Sequence, residues 1–286
     1  MAAVVSGWTR ALGAGAAAAG AVGAYSLLVE PFWLELTRPR IHVRGLPPAL
    51  EGFRIALLTD MHAGAGTPLW LIRRACRMAM REQPDLIALT GDFAADDAPD
   101  FGESIGALAG LDAPYGVYAV PGNHDFAVGI ESWHRQIGAH PVIQDLTNRA
   151  RTLDVDGARF CVAGVDDLAE GSPTLARLPP PEERDFTLVL AHEPSQAERA
   201  RRGYDAVDLI VSGHTHGGQV RLPWVGALAN PARAPSLYEE GLRRRPWTQV
   251  YTSRGVGTVH LPIRFLCRPE VAVLQLTGIA RPPLVK

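Results

Sequence analysis

The chain is poor in cysteine and has no excess of basic residues, and each absence excludes a class of protein. Only three cysteines occur, Cys76, Cys161 and Cys267, far apart and without a Cys-x-x-Cys pair. This spacing predicts neither a disulfide framework nor a thiolate zinc site, so we expect buried thiols. Lys and Arg number 28 against 30 Asp and Glu, a formal net charge of −2. Without a bulk positive field, nucleic acid is not an expected partner.

The chain also lacks any repeat of solenoid length, and its composition is that of a globular protein. It has 286 residues, of which 47% are hydrophobic and 20% charged, enough to bury a sizeable core. We assign residues 1–48 to a hydrophobic N-terminal segment with a linker, and residues 49–280 to one folded domain. No feature indicates a protein partner.

The N-terminal segment is long and uncharged. Between Arg10 and Glu30 lie 19 uncharged residues, eight of them alanine and four glycine. As a helix, residues 11–29 would be roughly 29 Å long, close to the thickness of a bilayer core. A retained membrane anchor, a cleaved signal peptide and a soluble terminus all remain open, and we favour the anchor. It predicts a single N-terminal span of undetermined orientation, since arginines flank it on both sides.

The most informative segment is residues 211–219, in which an apolar run ends in a glycine and then two histidines. His214 and His216 are one residue apart. In an extended backbone such residues point to the same side, so we expect two imidazoles available to a metal or a metal pair.

Four other apolar runs end in polar residues in the same way, and several of them alternate with helical segments. Taken singly, each polar residue has a structural explanation; Asp60, for example, could cap the helix predicted over Leu69–Arg81. Taken together they are carboxylates, imidazoles and an amide at strand ends, a set without thiolate that suits manganese, iron or zinc. Seven ligands suffice for two ions that share one carboxylate. The set is Asp60, His62, Asp92, Asn123, His192, His214 and His216.

Three other features are interpreted as structural. The arginines of the helix Leu69–Arg81 lie opposite its apolar positions and are read as a solvated face. The acidic loop Asp96–Asp100 is read as solvated, and His134 and His140 as surface or packing histidines.

The order of these blocks resembles the calcineurin-like metallophosphoesterase superfamily. Its signature blocks stand here as Asp60-Met61-His62, Gly91-Asp92, Gly122-Asn123-His124-Asp125, His192 and Gly213-His214-Thr215-His216. The resemblance implies an α/β fold of two mixed β-sheets packed face to face and flanked by helices. It implies that Asp60, His62 and His216 bind one metal ion, that Asn123, His192 and His214 bind the other, and that Asp92 bridges them. It also implies that His124 protonates the leaving oxygen while Asp125 orients its ring.

A narrower resemblance is to one bacterial, membrane-associated branch that includes phosphodiesterases and UDP-2,3-diacylglucosamine pyrophosphatases. It implies an inner-membrane protein with a phosphate-ester substrate that is lipid-linked, and a phosphate contact by Arg254 or Arg264. Two alternatives remain: a nuclease or cyclic-nucleotide phosphodiesterase with the same metal site, and a scaffold that has lost catalysis. A scaffold should show substituted ligands, and none is substituted here.

Overall fold

The computed structural model describes residues 2–64, 66–96, 98, 101–203, 207–228 and 236–279. The helices in this part of the chain are α1 (Ala2–Leu28), α2 (Leu69–Arg81), α3 (Gly102–Ala107), α4 (Asn123–Ala139) and α5 (Gln196–Gly203). The strands of its first half are β1 (Glu35–Thr37), β2 (Arg40–Arg44), β3 (Arg54–Leu58), β4 (Leu86–Thr90), β5 (Val117–Val120) and β6 (Ile143–Asp145). Those of its second half are β7 (Arg149–Val155), β8 (Ala158–Gly164), β9 (Phe186–Leu190), β10 (Leu209–Ser212), β11 (Arg221–Leu222), β12 (Gly226–Ala227), β13 (Gly241–Arg245), β14 (Thr248–Thr252) and β15 (Glu270–Ile279).

Two mixed sheets form a sandwich, as predicted. One has the strand order β1-β15-β3-β4-β5-β6, with β2 also paired to β15, and the other has the order β13-β14-β10-β9-β8-β7. Their facing sides share one apolar core, in which Ile55 and Leu57 of the first sheet lie with Leu188 and Val211 of the second. The outer faces are covered by helices, α2 to α4 on one side and α5 on the other. Strands covered on both faces read as continuous apolar runs, which is why they were recognisable in the sequence.

Strand direction brings the site together. Strands β3, β4, β5 and β6 are parallel neighbours, as are β8, β9, β10 and β14. The carboxyl ends of β3, β4 and β5 therefore share one edge of the first sheet, and those of β9 and β10 share one edge of the second. Contacts between β4 and both β9 and β10 put the two edges side by side. Functional groups at the ends of parallel strands are thereby gathered in one place.

The N-terminal part of the chain joins the first sheet. Residues 35–37 and 40–44 are strands β1 and β2, and both pair with β15 near the other end of the chain. Helix α1 contains all but the last of residues 11–29. No helix in the described part of the chain is long and apolar enough to cross a membrane.

The segment after β5 is helical from Asn123 onward. Helix α4 begins at this residue and has a break at Gly129, whose φ is 134°. Asn123, His124 and Asp125 therefore occupy the first turn of a helix, where a carboxylate can accept hydrogen bonds from free backbone N–H groups.

Candidate metal centre

All seven predicted ligands lie just beyond the strand ends, and five of them have a positive φ instead of an extended backbone. Asp60, His62, Asp92, His214 and His216 have φ values of 51°, 42°, 56°, 70° and 51°. Positive φ is uncommon for residues other than glycine and persists where the surroundings enforce it, often at functional sites. The premise that His214 and His216 continue an extended strand is wrong, since β10 ends at Ser212. The turns at His214 and His216 direct these two side chains into different ligand groups.

Two glycines permit the close approach of these turns. A Cβ atom on Gly213 would lie 2.0 Å from Oδ2 of Asp60, and one on Gly122 would lie 2.4 Å from Oδ1 of Asp92. Both glycines flank predicted ligands, so the space for the carboxylates exists only because these positions carry no side chain.

One ligand group consists of Asp60, His62, Asp92 and His216, all buried, with one ligand atom from each within 4.8 Å of the others. Nε2 of His62 and Nε2 of His216 are 3.1 Å apart, and Nε2 of His216 lies 3.5 Å from Oδ1 of Asp60. Imidazole and carboxylate atoms that converge in this way, without thiolate, are the donor set of a divalent transition-metal site.

The second group consists of Asp92, His192 and His214, again within 4.8 Å. Nδ1 of His214 lies 3.0 Å from Nε2 of His192. The other nitrogen of His192, Nδ1, donates to the carbonyl oxygen of Thr90 at 2.7 Å. That bond fixes the tautomer in which Nε2 carries the lone pair, as in many metal sites. Asp92 belongs to both groups: its Oδ2 is 3.4 Å from Nε2 of His62 and 3.2 Å from Nε2 of His192.

Unpaired buried atoms fit bound cations. Oδ2 of Asp60 and Oδ1 of Asn123 are buried and have no hydrogen-bond partner among the described residues. A buried polar atom without a partner is costly, and such atoms are rare in native structures. Both belong to predicted ligands, so the donor set fits divalent metal ions.

The pKa values of two of the predicted histidine ligands agree with this reading. Burial lowers the pKa of His62 to about 4, and burial followed by the charge of His62 lowers the pKa of His216 well below its usual value. Both rings are therefore neutral at pH 7, the form that binds a metal. Burial alone would raise the pKa of Asp92, but His192 and His62 beside it lower it overall, so this carboxylate is ionised.

His124 lies at the edge of the first group, and its partner is not the predicted one. Its ring is 4.8 Å from the ring of His62, and its Nδ1 contacts Oδ1 of Asp96. Burial lowers the pKa of His124, but the charges of Asp92 and Asp96 raise it overall.

Asp125, which was expected to orient the His124 ring, instead braces the backbone. Its carboxylate accepts hydrogen bonds at 2.9 Å from the N–H groups of Asp92, Phe93 and Gly122. It thereby ties the first turn of α4 to the loop after β4 that carries Asp92. Asp96 was missed because its loop was read as solvated. Its position four residues beyond Asp92, in the same loop, could have indicated that Asp96 lies near the site.

The two arginines predicted to meet a phosphate are engaged elsewhere. Arg264 is fully buried, and its guanidinium donates to the carbonyl oxygens of Arg254, Gly257 and Cys267, among others. Nη2 of Arg254 donates to Glu35 at 2.9 Å, and its Nε lies 3.6 Å from Glu270. The geometry argues against both substrate contacts, because five carbonyls and two carboxylates already occupy these cations.

A cavity of about 310 Å³ opens beside the site. His62, Asp96 and His124 form its inner wall, and Gly66, Ala95 and residues 258–262 form the remainder. His260 faces His124, with 6.3 Å between ring centroids. Sequence reasoning missed this loop because its residues have no recognisable ligand pattern.

A sandwich of two mixed sheets whose strand ends gather two connected groups of carboxylates and imidazoles defines a metal-dependent hydrolase. Comparison with known proteins makes the class specific. The family described as "Calcineurin-like phosphoesterase" matches residues 53–218, more than half of the chain. The chain belongs to this family and is a metal-dependent phosphoesterase.

Full-length relatives agree with this assignment. The chain is 34% identical to "Uncharacterized metallophosphoesterase YkuE" of Bacillus subtilis, over 95% of this chain and 96% of the relative. It is 35% identical to "Phosphodiesterase YaeI" of Escherichia coli, over 88% and 92%. It is also 30% identical to a bovine "Transmembrane protein with metallophosphoesterase domain", over 84% of this chain and 56% of that protein.

Proposed function

We propose that this chain uses two divalent ions to cleave a phosphoester or pyrophosphate bond with a metal-activated water. The observation that carries the proposal is the position of Asp92, whose Oδ2 faces a histidine nitrogen of each ligand group. A carboxylate so placed suits a bridge between two ions. In the proposal Asp60, His62 and His216 hold one ion, Asn123, His192 and His214 hold the other, and the ions are manganese, iron or zinc.

When bound, two such ions supply an activated water and neutralise charge on the phosphoryl oxygens. The chain supplies the proton. Asp96 holds Nδ1 of His124, which leaves Nε2 as the nitrogen available to the cavity. The nearby carboxylates raise the pKa of His124 and so favour its protonated form, which suits it to protonate the leaving oxygen.

The experiment is turnover of bis(p-nitrophenyl) phosphate with Mn²⁺ by the full chain and by His124→Ala. We expect kcat to fall by about 10²- to 10⁴-fold, the contribution of a general acid, with metal content unchanged. His134→Ala is the matched control, because His134 is paired with Asp145 in the same way but lies outside the cavity. Normal turnover by His124→Ala would refute the role of His124 as the general acid.

We further propose that the substrate is lipid-linked, such as a nucleotide-sugar lipid, and that the enzyme acts at a membrane surface. Leu261 and Pro262 of the cavity wall are exposed. The hairpin β11–β12 carries exposed Trp224 and Val225 at its turn and is joined to the same loop by a hydrogen bond from Arg221 N–H to the carbonyl of Phe265. Apolar side chains beside a polar site suit an acyl chain. The name of the bovine relative is consistent with a membrane setting.

The test compares kcat/KM for a UDP-linked acylated sugar and for its deacylated form. We expect a preference for the acylated form that is reduced at least about tenfold in Trp224→Ser/Val225→Ser, since each loses an apolar contact. Ile279→Ser, which alters an exposed apolar residue at the end of β15, should keep the preference. Equal kcat/KM for both forms with the unaltered chain would exclude the lipid-linked substrate.

A further inference from the structure

The outer face of α2 carries four arginines and no acid. Arg73, Arg74, Arg77 and Arg81, here called the basic face, are exposed, and at 100° per residue they fall within about 100° of the helix circumference. None of the four forms an ion pair with another described residue. The whole chain has a net charge of −2, so this helix face is a local region of positive charge on a slightly acidic protein.

Aromatic residues distinguish this face from an ordinary solvated one. Trp70 lies in the same sector of α2 and is 50% exposed. Its ring is 5.9 Å from that of Phe32, in the segment that follows α1. The next residue, Trp33, is 49% exposed, with the guanidinium of Arg268 5.1 Å from its ring. Tryptophan among arginines is the composition of surfaces that lie at a membrane–water interface.

A groove between α2 and α3 adds a place for a lipid. Its volume is about 530 Å³, and Arg73, Arg77 and Arg81 form its basic rim. Cys76 and Met80 form its floor, together with small residues of and after α3: Gly106, Ala107, Ala109 and Gly110. A guanidinium rim binds phosphate oxygens, and an apolar floor receives hydrocarbon.

We propose that the basic face, with Trp70 and Trp33, docks on an anionic phospholipid bilayer. The patch is only about 12 Å long by helix geometry, short for tracking a nucleic acid backbone, and aromatic groups lie within it. It is also continuous with the end of α1, where Leu28 and Val29 are exposed beside the Trp33 segment. The docking surface does not depend on phosphoester hydrolysis, so it can fail or hold separately from the proposed function.

The experiment is cosedimentation of the full chain with vesicles of phosphatidylglycerol and phosphatidylcholine, compared with phosphatidylcholine alone. An arginine near an anionic surface contributes about fivefold to partitioning at moderate salt, so removing four should weaken binding by well over about tenfold. The variant is Arg73→Gln/Arg74→Gln/Arg77→Gln/Arg81→Gln. The matched control removes the same charge at exposed arginines elsewhere: Arg135→Gln/Arg149→Gln/Arg151→Gln/Arg244→Gln.

We expect binding that needs phosphatidylglycerol, falls with salt, is lost in the basic-face variant and is retained in the control. Hydrolysis of bis(p-nitrophenyl) phosphate should be equal in all three proteins, which shows that the variants are folded. The proposal is overturned if neutral vesicles bind equally well, or if the basic-face variant binds like the control. It is also overturned if the unaltered chain binds a DNA duplex more tightly than the anionic vesicles at the same salt concentration.

Discussion

Replacing Asp125 tests whether this buried carboxylate braces the backbone or orients the His124 ring. In Asp125→Ala, the N–H groups of Asp92, Phe93 and Gly122 lose their acceptor in a fully buried place. Each orphaned donor costs about 1–3 kcal/mol, so the free energy of unfolding should fall by about 3–9 kcal/mol. That is a large part of the about 5–15 kcal/mol that stabilises a typical domain.

Asp125→Asn should be milder, for a geometric reason. Oδ2 of the carboxylate accepts from both Asp92 and Gly122, whereas Oδ1 accepts from Phe93 alone. An asparagine with its oxygen at the Oδ2 position keeps two of the three bonds and turns its amide group toward the Phe93 N–H. We therefore expect a loss of about 1–3 kcal/mol, between those of the unaltered chain and the alanine variant.

The assay is urea unfolding in excess chelator, so that metal binding does not contribute. It is done at about pH 8.5, because burial and then Asp92 raise the pKa of Asp125 to about 7. Asp154→Ala is the control, because this exposed carboxylate accepts a single hydrogen bond, from the N–H of Gly157. Its loss should lower the free energy of unfolding by about 0.5 kcal/mol. An alanine variant as stable as the control would refute the bracing role. Reduced turnover at unchanged stability would restore the ring-orienting role.

Three further predictions concern single side chains. Asp96→Asn should lower kcat about tenfold or more on a diester substrate with little change in stability, because a charge that raises the pKa of His124 is lost; unchanged kcat would contradict this. His134→Gln should lower the melting temperature at about pH 5.5 but not at about pH 8.5. Pairing with Asp145 raises the pKa of His134, so its stabilisation is present below the ordinary value of about 6.5 and is lost as pH rises through the raised one; equal losses would contradict this. Arg264→Met should cost about 3–5 kcal/mol in urea unfolding, because buried carbonyls lose their donor, and a substrate contact would instead alter KM at constant stability.

The ligand set was predictable because each member follows an apolar run. A strand covered on both faces is recognisable in the sequence as a continuous apolar run. The polar residue that follows it, such as Asp92 or His192, lies at a sheet edge. The assignment of His214 and His216 to different metal ions is implied by the family resemblance and stays a prediction, although the two side chains do lie in different groups of candidate ligands. The premise that both continue an extended strand and point to the same side was wrong, because their φ angles are positive.

The partners of these residues were less predictable, because they depend on contacts distant in sequence. Asp96 meets His124 across 28 residues, and nothing local marks its loop as part of the site. Strand β1 has only three residues and is defined by pairing with β15, more than 200 residues away. The phosphate contact expected for Arg264 came from the narrower family resemblance, whereas its carbonyl partners come from separate turns that only the fold brings together.

The most direct test of the central claim is electron paramagnetic resonance of the full chain, stripped with chelator and then titrated with Mn²⁺. If the strand ends hold two ions bridged by Asp92, the ions lie about 3.5 to 4 Å apart and are magnetically coupled. We predict a coupled signal that grows to two ions per chain and gives way to the six-line signal of isolated Mn²⁺ in His214→Ala and in His216→Ala. Saturation of the unaltered chain at one ion, or two ions without coupling, would contradict the account.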